Sequence, residues 1–246
     1  MKNMCFILLF FWVFLGMRGF VLAQQGSQYQ AIEVKNGGKL TGKVTFKGEV
    51  AAPKQLQITK DQKVCGKEPI YDESLMVAKE NHGLKNVVVS IVNISKGKSW
   101  PADSEPPVFD QNGCRFDPHV LIVSKSTKFN VLNNDGVLHN IHTYSEDNVP
   151  INKAQPKFLK KMSLSFKKPE FIKVACDVHN WMNGWFVVAG HPYYAITDES
   201  GDFTITDIPA GSYRIEFWHE KLGRQTKEMT LTEGGEVQLD AQFALK

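Results

Sequence analysis

Beyond its N-terminal apolar run the chain carries no sustained helical repeat. Its apolar residues fall in short runs, each stopped by Gly, Pro, Asn or Asp: KLTGKVTFKG (39–48), NVVVSIVNI (86–94), HVLIVS (119–124), KFNVLN (128–133), EFIKVAC (170–176), GWFVVAG (184–190), DFTITDI (202–208) and SYRIEFW (212–218). Short β-branched and aromatic runs with frequent turn residues build sandwiches or barrels. The pattern therefore predicts an all-β protein. Residues 60–84 read as a helix or an irregular loop. Residues 95–112, with Pro101, Pro106 and Pro107, read as a linker or long loop.

The N-terminus has its own character. Lys2 precedes an apolar stretch with CFILLFFWVFLG at its heart, and Val21-Leu22-Ala23 offers small residues before Gln24. Residues 1–23 are thus expected to be a secretory signal peptide. The run is short of the ~20 residues that span a bilayer, so the membrane is a partner only if the segment stays uncleaved. Its removal takes Lys2 and Arg18 from the 29 basic residues and none of the 26 acidic ones. The remaining charge is nearly balanced, which argues against nucleic acid as a partner. The expected location is periplasmic or secreted.

Export makes the cysteine count informative. Cys5 leaves with the signal, and Cys65, Cys114 and Cys176 remain. Thiols pair in oxidising compartments, and three is an odd number. We expect a Cys65–Cys114 disulfide with Cys176 left over, although the sequence alone does not fix that pairing.

The C-terminal stretch TDESGDFTITDIPAGSY (197–213) has the pattern T-D-x-x-G-x-F-x-I-x-x-I-P-x-G-x-Y. It resembles the carboxypeptidase-regulatory-like, transthyretin-like (prealbumin-like) β-sandwich. That family opens with strands like LTGKVTFKG and LKNVVVSIVN, which occur here at 40–48 and 84–93. The resemblance implies a sandwich split by an insertion. Its first part would lie in 31–94, the inserted domain in 113–190 and the remainder in 191–246. Three consecutive units are the competing arrangement.

Within 113–190, NNDGVLHN (133–140) lies upstream of ACDVHNWM (175–182). The combination N-N-D-G-x-x-H-N with C-x-x-H and a following Met resembles the cupredoxin family, plastocyanin-like blue copper proteins. The resemblance implies a Greek-key β-sandwich, copper as cofactor, and His139, Cys176, His179 and Met182 as ligands. The H-x-x-M spacing is shorter than in the usual mononuclear loop, which bears most on Met182. A single loop cysteine argues against a dinuclear centre. The ligand chemistry stands apart from the name: a thiolate, two imidazoles and a weak thioether suit both Cu(I) and Cu(II). Alternation in FIKVAC puts Ile172, Val174 and Cys176 on one strand face, with the thiol inward.

Taken singly, Cys176, His179 and Met182 would be a core cysteine, a loop histidine and a packing methionine. His139 and His142 fall on opposite faces of an extended strand, so one of them should reach the loop. His139 is followed by Asn, as in the family, and Asn140 is expected to tie the two ligand loops together. His142 is the fallback. His119, His191 and His219 read as structural or surface histidines, with His191 the one that could approach the site, and His82 as a solvated loop residue.

No Ser-His-Asp set, paired carboxylates in a plausible cleft or phosphate loop is visible, so an enzyme is not expected. The expected function is one-electron transfer, with a c-type cytochrome or membrane oxidase as partner and the edge of His179, among Trp181, Met182 and Trp185, as docking surface. Copper delivery or storage is the alternative, and a metal-free structural or adhesion sandwich is a third reading.

Overall fold

The computed structural model describes residues 29–102 and 105–245. The expected signal segment lies outside the described residues. Among these, no helix is long and apolar enough to cross a membrane. The helix Gln62–Cys65 is a single turn.

The fold is all-β, with two sandwiches. In the first, strand Gly38–Lys47 pairs antiparallel with Asp202–Ile208 and parallel with Glu236–Gln238 and Ala241–Ala244. The facing sheet runs Tyr194–Ile196, Val88–Ile91, Gly211–His219, Gly223–Leu231. Strands from far upstream and from the C-terminal region therefore share both sheets. Alternation explains the pairing of faces: Leu40, Val44, Val89, Ile91, Phe203, Ile205, Ile215 and Phe217 all point into one core. Gly201, at φ +78°, closes the turn before Asp202. A Cβ there would lie 2.2 Å from the Val44 carbonyl oxygen, so a side chain is excluded.

The second sandwich lies between these halves in sequence. Its five-stranded sheet runs Asn152–Gln155, His139–Tyr144, Glu170–Ala175, Asn183–Ala189, Val120–Ser124, the last pair parallel. Its four-stranded sheet runs Lys161–Leu164, Phe129–Asn133, Val108–Gln111, Phe116–Asp117. Phe186 is the hub of the core, with ring centroids of Phe109 at 4.6 Å, Phe129 at 4.9 Å and Phe166 at 5.9 Å. The expected linker 95–112 is corrected in its last part. Val108–Gln111 is a strand because Phe109 and Gln111 alternate inward and pair alongside Phe129–Asn133.

Two features tie the sandwiches together. Val88, Val120, Val187 and Trp218 form a separate apolar seam, where Trp218 meets Trp185 edge-on at 4.8 Å and Phe171 at 4.7 Å. Glu220 accepts the Trp185 indole N–H at 3.0 Å and pairs with His119. In addition, residues 54–72, which precede strand Val88–Ile91, fold across the second sandwich. Leu56, Ile58, Val64 and Ile70 pack on its core, and the Leu56 N–H to Ile70 carbonyl bond of 2.8 Å closes the segment on itself. The segment forms a cap over that sandwich.

Candidate metal centre

Three of the four expected ligands converge. Strand His139–Tyr144 carries His139 at its first position, and the loop after Glu170–Ala175 carries Cys176 and His179. His139 and His179 are 0% exposed and Cys176 is 1% exposed. The Cys176 Sγ lies 3.8 Å from His139 Nδ1 and 3.9 Å from His179 Nδ1, and the two Nδ1 atoms are 2.9 Å apart. A point equidistant from these three atoms lies about 2.1 Å from each, the length of a metal–imidazole bond and slightly less than a metal–thiolate bond.

Both outer nitrogens face carboxylates. His139 Nε2 is 2.9 Å from Asp135 Oδ2, and His179 Nε2 is 2.9 Å from Asp61 Oδ2. A carboxylate accepts, so each Nε2 carries the proton and each Nδ1 presents a lone pair. Two lone pairs and a sulfur then face one another in a closed space. That arrangement calls for positive charge at its centre, supplied by a metal ion or, less completely, by a proton. The residues fit a soft-to-intermediate cation with a thiolate and two nitrogens.

The electrostatics point the same way. Burial pushes the Cys176 thiol up, but the Asn140 N–H and the two imidazoles, which donate to the sulfur through Nδ1 only when protonated at both nitrogens, outweigh it and bring the thiol down to about 6. Burial pulls His139 down, but its bonds to Asp135 and Cys176 outweigh that and hold it above the ordinary imidazole value.

Local geometry fixes both carboxylates. Gly113 and Cys114 are successive left-handed residues, at φ 66° and φ 53°. They turn their N–H groups onto Asp135, at 2.6 Å and 2.9 Å, which is how consecutive amides cradle an anion. Asp61 also sits at φ 49°, a conformation Asp tolerates. It immediately precedes the helical turn Gln62–Cys65, and Cys65 is joined to Cys114. The expected disulfide is therefore present, and Cys176 is the free, buried thiol. The Cys65 sulfur lies 3.8 Å from His179 Nε2.

Asn140 ties the loops together as expected. Its Oδ1 accepts the Asp177 N–H at 2.6 Å, and its own N–H approaches the Cys176 sulfur at 3.5 Å. Met182 is 2% exposed, and its backbone closes the ligand loop through the Met182 N–H to His179 carbonyl bond of 2.9 Å. His142 points to the other face and bonds Asp177 at 2.9 Å. His191 packs at a tilt against Tyr29 and Tyr194 and is not among the clustered donors.

The expected docking surface is corrected. His179 has no exposed edge: the cap covers it, and its apolar side chains hold the cap down. Trp181 is 7% exposed and donates to the Cys114 carbonyl at 3.0 Å, and Trp185 lies in the seam between sandwiches. Asp61 is the residue that sequence reasoning missed. It stands 118 positions before His179 in a segment without periodicity, and no local signal marks it.

Fold and site together define an all-β chain in which one sandwich encloses a thiolate–imidazole donor set. Residues 186–246 match the carboxypeptidase regulatory-like domain family. Similar solved structures include a Cu-containing nitrite reductase (NirK) from Thermus scotoductus SA-01, at 18% identity and TM-score 0.32, covering 37% of this chain and 25% of that one. An oxidized proline-to-glycine mutant of amicyanin is similar at 19% identity and TM-score 0.31, covering 41% of this chain and 98% of that one. A purple cupredoxin from Nitrosopumilus maritimus is similar at 19% identity and TM-score 0.28, covering 34% and 99%. The matched region thus spans a quarter of the nitrite reductase and nearly all of the two smaller proteins. Comparison with curated proteins gives no match.

Proposed function

We propose that this chain is an exported mononuclear copper protein that transfers one electron at a time. In this reading residues 113–190 are a copper domain inserted into a transthyretin-like sandwich made from 31–94 and 191–246. His139 and His179 would hold copper through Nδ1 and Cys176 through its sulfur, with Met182 proposed as the fourth ligand. The observation that carries the reading is the convergence of three buried donors whose outer nitrogens are both held by carboxylates.

Bound copper would supply a centre that cycles between Cu(I) and Cu(II). The protein's part is to keep the donors in place through that cycle. Strands anchor both ligand segments, and Asp135 and Asp61 fix ring orientation. Burial excludes water and competing ligands. Such a closed, pre-set site favours retention of the ion over its release, which supports electron transfer above delivery or storage. The apo form of a metal-free structural module would have no use for facing lone pairs. Export is supported by residues 1–23 and by the Cys65–Cys114 disulfide.

The test is to express residues 24–246 and add Cu(II). An intense visible thiolate-to-copper band is expected; Cys176→Ser should abolish it, and His139→Ala should strip or distort it. Identical spectra for the wild type and Cys176→Ser would defeat the copper reading. Reversible redox cycling with copper retained marks an electron carrier, whereas loss of copper to a chelator on reduction marks delivery.

A further inference from the structure

The cap closes the His179 side, so an electron must enter or leave elsewhere. The other ligand has a different surrounding. Leu138, the residue before His139, is 44% exposed. His139 pairs with Gln155 across the sheet edge, and extending that antiparallel register puts Pro156 opposite Leu138. The Pro156 carbonyl accepts the Leu159 N–H at 2.8 Å and closes a turn. Phe158 stands in this turn, 81% exposed, beside Leu159 at 37%. The turn is also anchored from below. Gln155 is 0% exposed, and its amide N–H groups bond the Leu159 carbonyl at 3.0 Å and the Val131 carbonyl at 3.2 Å.

Charge sets this region apart. From Asn148 to Pro169 the chain has six lysines and no acid, in a protein whose charges otherwise nearly cancel. Lys157, Lys160 and Lys161 are exposed and flank the apolar pair Phe158–Leu159. The nearest acid by sequence to Leu138, Asp135, is nearly buried, and its carboxylate is occupied by His139 and two backbone N–H groups. The face therefore has an apolar centre and a positive rim. Small surfaces of this kind suit transient redox encounters, in which the charges steer approach and the apolar centre makes contact.

We infer that Leu138 and the Lys157–Lys161 turn form the surface on which a redox partner docks, and that this partner presents an acidic face. The inference rests on the electron-transfer reading above and assigns its route to the His139 side.

The copper-loaded protein, reduced to Cu(I), can be mixed in stopped flow with ferric native cytochrome c, which is basic, and with ferric succinylated cytochrome c, the same fold made acidic, one electron passing from Cu(I) to Fe(III). The succinylated form should exchange electrons about tenfold faster at low salt, with the advantage fading as salt is added. Lys157→Glu, Lys160→Glu and Lys161→Glu combined should reverse that order. Phe158→Ser should slow the succinylated reaction several-fold. The visible spectrum should be unchanged in both variants, which shows that the site itself is intact. A faster reaction with native cytochrome c, or an unchanged ratio in the lysine variant, overturns the inference. So does lysine-dependent sedimentation with phosphatidylglycerol vesicles combined with an unchanged cytochrome ratio, which would make the face a membrane contact. Failure of the copper reading is separable: the wild type would then show no visible band before any partner is added, and both proposals fall.

Discussion

The two sandwiches bury different chemistry. The first sandwich fills its core with Leu40, Val44, Ile91, Phe203, Ile215 and Phe217, and its buried polar side chains are few and small apart from His219. The second sandwich buries Gln111, Asn133, His139, Asn140, Gln155 and His179. Gln111 donates to Gln155 at 2.7 Å, and Asn133 donates to the Gln155 carbonyl at 2.9 Å. Even so, Gln111 Oε1 and Asn133 Oδ1 meet no donor among the described residues. Burying polar groups costs free energy unless they are fully paired. One half of the molecule is thus composed for stability, and the other spends some of it on a polar interior gathered around His139.

That contrast can be tested first by cutting the same residue from each core. Phe217→Ala and Phe186→Ala each remove a fully buried ring and should each cost about 3–5 kcal/mol in urea unfolding. Metal binding should follow only Phe186. A copper spectrum disturbed equally by Phe217→Ala would break the division of labour. Next in size is the clasp. Cys65→Ala with Cys114→Ala should cost about 2–4 kcal/mol by the same measurement, and should also expose the His179 edge to solvent, read by hydrogen exchange.

Acid separates the two halves by pH window. Burial holds His219 in the first sandwich down at about 4. The unfolded chain takes up that proton near 6.5 and the folded chain resists until about 4. The stabilisation is complete above 6.5, declines as pH falls, and is gone below about 4. In the metal-free protein Cys176 acts higher. Its folded value of about 6 lies below its ordinary 9.0, so its contribution is complete above 9 and is lost as pH falls to 6. Denaturation against pH should therefore show a fall between 9 and 6 that Cys176→Ser removes, and another between 6.5 and 4 that His219→Phe reduces. The smallest effect belongs to the outer carboxylates. Asp135→Asn and Asp61→Asn should each weaken copper binding about 10- to 100-fold, measured by competition with a chelator, with little change in fold.

The legible and the hidden parts of the molecule differ in range along the chain. Alternation made DFTITDI and SYRIEFW readable as strands, and it placed Cys176 inward with Ile172 and Val174. His139 and His179 could be named because each sits in a short pattern. The cap could not be read, since residues 54–72 have neither period, and their apolar side chains are spaced by the shape of the surface they cover. Val108–Gln111 was masked by the prolines before it. The closure of His179 depended on a contact between remote segments, which no local pattern encodes, so an exposed edge was expected where a buried one is found.

The Cys65–Cys114 bond has a consequence for the order in which this molecule matures. A nascent chain offers a soft ion three thiols in its described region, and an early ion could settle on the wrong ones. Once two of them are joined, a single thiol is left to choose. The same joining brings in Asp61, four residues away, and with it the final orientation of His179. If the proposed centre takes copper, oxidation would act as a sorting step before metallation, and it stops short of the last thiol, which lies sheltered between two imidazoles.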